Sequence, residues 1–139
     1  GTVGARKVIL EGLAHDDAWY DIEIKSLDAA SGLCFVQYQN CSQMTSAWME
    51  PRKIRYRSEM YQVGEGPSAG GRVLAYQRRK KHDLYYDADV LSEREDTNGG
   101  ESQFLIQYVH GPEVGRKEWL QAKDLLRVNE ERLPNEVLR

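Results

Sequence analysis

Aromatic and acidic residues alternate along two short stretches of the chain, and together these residue types can bind a cation. The first stretch is Ala18-Trp19-Tyr20-Asp21-Ile22-Glu23-Ile24, and a version of it returns sixty-six residues later as Leu84-Tyr85-Tyr86-Asp87-Ala88-Asp89-Val90. Aromatic ring faces attract positive charge, and carboxylates accept charge-assisted hydrogen bonds from it. Nucleic acid would require basic groups beside the stacking rings. The pattern therefore predicts recognition of a cationic ligand.

A methylated ammonium group would need two or three converging rings. Its charge is spread over methyl groups that cannot donate hydrogen bonds, so ring faces must compensate it, each contributing roughly 0.5–2 kcal/mol. The first half of the chain offers Tyr20 and Tyr38, and the second half offers Tyr76, Tyr86 and Tyr108. The alternative in both halves is that these rings pack in the core or across strands.

The sequence contains no recognisable catalytic pattern. The three histidines are His15, His82 and His110, and none has a cysteine, serine or acidic partner at a catalytic spacing. The two cysteines, Cys34 and Cys41, do not form a zinc-ligand spacing with them. The glycine-rich residues 64–71 lack the lysine and the following helix of a phosphate-binding loop. We therefore expect a protein that is not an enzyme and needs no cofactor.

The two aromatic stretches belong to a longer internal repeat with strand periodicity. Phe35-Val36-Gln37-Tyr38 returns as Leu105-Ile106-Gln107-Tyr108, and Ala47-Trp48-Met49 returns as Glu118-Trp119-Leu120, at offsets of seventy and seventy-one residues. Alternation of polar and apolar residues is typical of a strand with one buried face. We predict two small β modules, packed together because each alone buries little core. The equivalent tryptophans, Trp48 and Trp119, are expected in the core.

Composition sets the module boundaries. Residues 64–71 hold four glycines and a proline, which indicates a linker. The predicted modules are residues 8–63 and 72–128, and residues 129–139 form a charged tail. With 40% hydrophobic and 29% charged residues and no apolar run of eighteen, the chain is typical of soluble globular proteins.

Two basic runs leave nucleic-acid binding open as another function. They are Arg52, Lys53, Arg55 and Arg57 in the first half, and Arg78, Arg79, Lys80 and Lys81 in the second. Runs of like charge are usually solvated faces, so nucleic acid is not expected to be the main ligand.

The order of these motifs resembles a Tudor barrel in each half and a tandem Tudor domain over both. In more detail it is similar to the SAWADEE domain of plant SAWADEE-homeodomain proteins. That family has an Ala-Trp-Tyr-Asp strand, an aromatic that ends the next strand, and a tryptophan ten residues later. The matching residues here are Ala18-Trp19-Tyr20-Asp21, Tyr38 and Trp48. The resemblance, over roughly residues 10–128, implies an all-β fold of two Tudor-like five-stranded barrels and a nuclear chromatin reader.

The resemblance also implies a ligand and a set of site residues. Proteins of this family bind the histone H3 tail, with methylated lysine 9 in an aromatic cage and unmodified lysine 4 near acidic side chains. By position, the cage falls on Tyr20, Tyr38 and Cys41, and the acidic pocket on Glu11 and Asp21. An alternative cage in the second module consists of Tyr76, Tyr86 and Tyr108. Other chromatin or silencing proteins are further partners, and no membrane is involved.

Two departures from the family pattern alter these expectations. Cys41 stands where the family has a third aromatic, so a Tudor-pair scaffold for a non-histone or methylarginine partner is the alternative function. The family also binds a structural zinc, at positions that here are Tyr86, Asp89, Gly100 and Ser102. These four side chains are not a zinc-ligand set, so we expect this chain to fold without metal.

Overall fold

The structure is a computed structural model that describes residues 9–39, 41, 44–78, 83–95, 100–131 and 133. These residues form eleven β-strands and two short 3-10 helices, so the predicted all-β class is confirmed. None of the described residues lies in a helix long and apolar enough to cross a membrane.

The first sheet has five strands in the order β4-β3-β2-β1-β5. The strands are β1 (Leu10–Leu13), β2 (Trp19–Leu27), β3 (Cys34–Tyr38), β4 (Ser46–Met49) and β5 (Ile54–Tyr56). A 3-10 turn at Pro51–Lys53 separates β4 from β5. Proline lacks a backbone donor, and its fixed φ angle suits the start of such a turn.

The second sheet has six strands in the order β10-β9-β8-β7-β11-β6. They are β6 (Glu59–Met60), β7 (Arg72–Arg78), β8 (Asp83–Arg94), β9 (Gln103–Tyr108), β10 (Lys117–Gln121) and β11 (Leu125–Arg127). A 3-10 turn at Ala122–Asp124 precedes β11, as Pro51–Lys53 precedes β5. The short strand β6, which pairs with β11, is an addition to the predicted five strands.

The prediction of barrels was wrong in one respect, because neither sheet closes among the described strands. The end strands of the first sheet are β4 and β5, and those of the second are β10 and β6. These end strands are only two to five residues long. Each of them pairs with a single neighbour among the described strands, so the sheets remain open.

The sequence repeat is also a repeat of strand register. Ile22 lies opposite Tyr38 in the first sheet, and Ala88 lies opposite Tyr108 in the second. Each pairing shifts register at the same place, between Ile24 and Ser26 in β2 and between Val90 and Ser92 in β8. Such a bulge bends a strand and increases its twist, so both sheets curve at equivalent points.

The chain divides into two compact units, each with its own core. The first comprises the chain up to Leu13, Tyr20–Arg57 and the part from Glu130, and the second comprises Ala14–Trp19 and Ser58–Asn129. Buried side chains of the first unit include Leu10, Ile22, Cys34, Val36, Tyr38, Met49 and Ile54. Those of the second include Val73, Leu74, Ala75, Tyr86, Val90, Phe104, Ile106, Tyr108 and Leu125. The longer segment of the second unit begins at Ser58, before the predicted linker.

The prediction that both tryptophans lie in the core was wrong. Trp48 is 54% exposed, and Trp119 is only partly buried. The reason is register, since Cys34 and Val36 fill the inner face of β3 and Phe35 points outward opposite Trp48. Met49, the neighbour of Trp48 in β4, takes the inward position and is buried.

Candidate functional site

Two of the three predicted cage residues contact each other at the β2–β3 pairing. The rings of Tyr20 and Tyr38 lie edge to face, with centroids 5.7 Å apart and planes at 80°. Tyr38 lies opposite Ile22, and Tyr20 is two residues before Ile22 on the same face of β2. Tyr38 is 8% exposed, whereas Tyr20 is partly exposed. The two ring planes are therefore nearly perpendicular, and Tyr20 offers most of the accessible ring surface.

The third predicted cage position adds no ring surface. Cys41 is a free, partly buried thiol that follows the end of β3. A thiol packs as a small, polarisable apolar group and supplies no aromatic face. The other cysteine, Cys34, is fully buried, and burial raises the pKa of its thiol. The site thus has two aromatic walls.

The first residue of the predicted acidic pocket, Glu11, is a buried partner of an arginine. Glu11 in β1 lies opposite Arg55 in β5, and its Oε2 accepts a hydrogen bond from Arg55 Nε at 2.6 Å. The Glu11 side chain is 4% exposed and that of Arg55 18%. This carboxylate is therefore neutralised within its own sheet.

The second residue of the predicted pocket, Asp21, is more open. Its Oδ1 lies 3.2 Å from Arg57 Nε, and the side chain keeps 29% of its surface exposed. No other side-chain partner of Asp21 is found in the described part of the chain. An external ammonium group can therefore reach this carboxylate and would share it with Arg57.

The first predicted basic run is largely paired with acids of the same chain. Arg55 and Arg57 contact Glu11 and Asp21, and Arg52 contacts Glu50 through its Nε. In the second run, residues 79–81 lie outside the described residues. Paired arginines have less charge to offer a phosphate backbone, which disfavours nucleic-acid binding by the first run.

The alternative cage in the second unit contains two core residues. Tyr86 is 3% exposed and Tyr108 is 1% exposed. The Tyr108 hydroxyl donates to Glu118 at 3.2 Å, and burial together with the Glu118 charge raises the pKa of this phenol. The more exposed Tyr76 stacks edge to face with Tyr85 at 5.7 Å. As these side chains lie, only Tyr76 of the predicted trio offers an accessible ring.

Asp87 has a role that its position in the sequence did not reveal. Asp21, at the equivalent position of the first stretch, keeps 29% of its side chain exposed, but Asp87 is 4% exposed. Its Oδ2 accepts a hydrogen bond from Trp19 Nε1 at 3.0 Å and lies 3.2 Å from His110 Nδ1. Asp87 is therefore a buried acceptor that links three segments of the second unit.

No group of three or more histidine, cysteine, aspartate or glutamate side chains suited to a metal occurs among the described residues. Of the positions that match the zinc ligands of the resembled family, Tyr86 is in the core. Asp89 is paired with Arg72 at 2.8 Å. That the chain folds without metal stays a prediction.

Comparisons with known proteins agree with this fold. The SAWADEE domain profile matches residues 7–126. A selenium-substituted methionine variant of the Arabidopsis thaliana SHH1 SAWADEE domain is similar, with a TM-score of 0.70 and 20% identity over 91% of this chain and 100% of that chain. The SHH1 SAWADEE domain in complex with an H3K9me3 peptide gives the same TM-score and identity over 90% of this chain and 100% of that chain. Curated protein sequences gave no match. By the profile match, which covers most of its length, this chain belongs to the SAWADEE domain family.

Proposed function

We propose that this chain is a non-catalytic chromatin reader that acts in the nucleus and binds the histone H3 tail through methylated lysine 9. The observation that carries the proposal is the perpendicular contact of Tyr20 and Tyr38 at the positions of the family's cage. A second support is that the similar SHH1 domain was solved with an H3K9me3 peptide.

The geometry limits how strongly the cage alone can bind. Each ring face contributes roughly 0.5–2 kcal/mol to the binding of a methylated ammonium, so two rings supply about 1–4 kcal/mol. Cys41 contributes only apolar contact at the third position. Most of the affinity for a histone tail must therefore come from other contacts of the peptide, including charge attraction to acids such as Asp21.

Replacing Tyr20 with alanine is expected to weaken binding of an H3 peptide trimethylated at lysine 9 about ten-fold, because one of two ring faces is lost. Tyr20→Phe keeps the ring and should bind like the parent chain. Tyr38→Ala should weaken binding similarly, but Tyr38 is buried, so its thermal unfolding must be measured as well. Calorimetric titration with the trimethylated and unmodified peptides provides the comparison. Unchanged affinity in Tyr20→Ala would place the cage elsewhere.

The acidic side chain that we assign to unmodified lysine 4 is Asp21. Ammonium groups donate charge-assisted hydrogen bonds that added methyl groups progressively remove. A peptide carrying methylated lysine 9 should therefore bind less well when lysine 4 is also trimethylated. Glu11 shares this predicted pocket, but it already pairs closely with Arg55.

Asp21→Ala is expected to reduce affinity for the peptide with unmodified lysine 4 about five-fold and to remove the penalty for its trimethylation. Glu23→Ala is the matched control, because Glu23 lies two residues further along the same strand face and pairs with Lys25. Both variants are titrated with both peptides. Equal binding of the two peptides by the parent chain would return Asp21 to the role of a surface residue.

Cys41 stands where the family has a third aromatic ring, and this difference favours one other function. That function is a Tudor-pair scaffold that binds a methylarginine or a non-histone partner. A two-walled site encloses a trimethylated ammonium less completely than a three-walled cage does. The same calorimeter distinguishes the candidates with a methylarginine peptide. Affinity that follows lysine methylation supports the reader, and affinity that follows arginine methylation supports the scaffold.

A further inference from the structure

An exposed aromatic pair lies on the outer face of the first sheet. Trp48 is 54% exposed, and its ring centroid is 5.1 Å from that of Phe35, with planes at 42°. Trp48 belongs to β4, an end strand of the sheet, and lies directly opposite Phe35. The Tyr20–Tyr38 pair uses the other face of β3, because neighbouring residues of a strand point to opposite sides. The outer pair is thus separate from the proposed cage.

The second sheet shows what an equivalent tryptophan binds. Trp119 lies opposite Leu105, as Trp48 lies opposite Phe35. The guanidinium of Arg94 sits 4.0 Å from the centroid of the Trp119 ring, and Arg94 Nε donates to Gln103 at 2.8 Å. This tryptophan position therefore accepts a guanidinium on its ring face within the chain itself.

The first sheet has an acid at the repeat position where the second sheet has this cation. Asp28 occupies the repeat position that Arg94 occupies in the second sheet. Arg94 lies opposite Gln103. The backbone N–H of Asp28 donates to the carbonyl of Leu33, which is the equivalent of Gln103. Within the described part of the chain, no guanidinium or ammonium lies over Trp48. The aromatic position is kept, and the charge beside it is reversed.

Two further positions on the outer face also differ in charge. Arg94, Lys117 and Gln121 of the second sheet correspond to Asp28, Ser46 and Glu50 of the first, whereas Asp89 and its equivalent Glu23 are both acids. Glu23 and Glu50 have their own partners, Lys25 and Arg52. Asp28 is exposed, and the Ser31 hydroxyl that donates to it at 2.7 Å lowers its pKa. It therefore stays ionised at neutral pH.

We propose that Trp48 and Phe35 form a second binding surface, which takes an arginine side chain of a basic partner peptide. The guanidinium would stack on the Trp48 ring and face Asp28, as Arg94 stacks on Trp119 in the second sheet. Arginine fits better than lysine, because a planar, weakly hydrated guanidinium stacks on aromatic rings. A nucleobase would also stack on tryptophan, but the acids nearby would repel its phosphate groups.

Spectra of the nitrogen-15-labelled chain test this surface, because its three tryptophans give three indole N–H signals. The probe is a short Gly-Ser peptide carrying two arginines, compared with the same peptide carrying citrulline or lysine. The arginine peptide should shift the Trp48 signal and leave the Trp119 signal in place, since Arg94 covers that ring. Citrulline, which has the shape of arginine without its charge, should cause no shift.

Three exposed substitutions test the difference between the repeats. Asp28→Arg supplies an internal cation and should weaken the response of Trp48 about two- to five-fold. Arg94→Ala uncovers Trp119 and should let the arginine peptide shift its signal too. Asp28→Asn removes only the charge and should have an intermediate effect.

Three results would overturn the proposal. They are an unmoved Trp48 signal, an equal shift by the citrulline peptide, and a shift caused by a single-stranded oligonucleotide but not by the arginine peptide. Tyr20→Ala should leave the arginine response intact while weakening binding of the lysine 9 trimethylated peptide. Failure of this surface and failure of the methyl-lysine cage are therefore distinguishable.

Discussion

Replacing Arg55 with alanine is expected to lower the free energy of unfolding by about 3 kcal/mol, because it leaves a buried carboxylate without its close partner. Glu11 is 3% exposed, and its Oε2 is 2.6 Å from Arg55 Nε across the β1–β5 pairing. Desolvation of a charge is offset only while its partner and hydrogen bonds are in place. Urea unfolding at neutral pH, followed by circular dichroism, measures the change.

A surface pair provides the matched control. Arg52 and Glu50 are also in contact, but their side chains are 74% and 48% exposed. Arg52→Ala should change the free energy of unfolding by no more than about 0.5 kcal/mol, because exposed ion pairs contribute little. The double change Glu11→Met with Arg55→Met should recover much of the loss by replacing the buried pair with apolar packing. Equal effects of Arg55→Ala and Arg52→Ala would contradict the assignment.

The Glu11–Arg55 pair also shows what the sequence pattern could not predict. The alternation in residues 20–24 predicted a strand with Tyr20 and Ile22 on one face, because a half-buried strand repeats with a period of two. The resemblance to the family, and not the alternation, placed Tyr38 beside Tyr20. Glu11 and Arg55 are forty-four residues apart, and no local pattern indicates that two distant residues of opposite charge will pair. The prediction consequently treated Glu11 as an acid available to a ligand.

The outward position of Trp48 was unpredictable for a related reason. Ala47, Trp48 and Met49 are all apolar, so the alternation that marks the buried face of a strand is missing from β4. Only pairing with β3 determines which of them points inward, and it selects Met49. The open edges of the sheets likewise depend on pairing between strands. The formation of β6 also depends on its pairing with β11. Sequence periodicity determined the local structure, and tertiary pairing determined the surfaces.

Gly111→Ala is expected to lower the free energy of unfolding by about 3 kcal/mol. Gly111 has φ of +96°, a conformation that costs an alanine about 1–2 kcal/mol. An added Cβ would also lie 2.5 Å from Cδ1 of Tyr86, whose ring is only 3% exposed and cannot move aside without repacking the core. Forcing an extra carbon into a packed interior costs about 1–3 kcal/mol.

Gly115→Ala separates the two contributions, because Gly115 lies in the same loop with φ of +88° and nothing within 4 Å of the added Cβ. It should cost only the backbone part, about 1–2 kcal/mol. Equal losses in the two variants would show that the Tyr86 ring has room to move.

The Gly111→Ala and Gly115→Ala variants also test the position of the cage. If methylated lysine binds Tyr20 and Tyr38, folded Gly111→Ala protein should keep its affinity for the lysine 9 trimethylated peptide. If Tyr86 is a cage wall, that affinity should fall in Gly111→Ala and remain unchanged in Gly115→Ala.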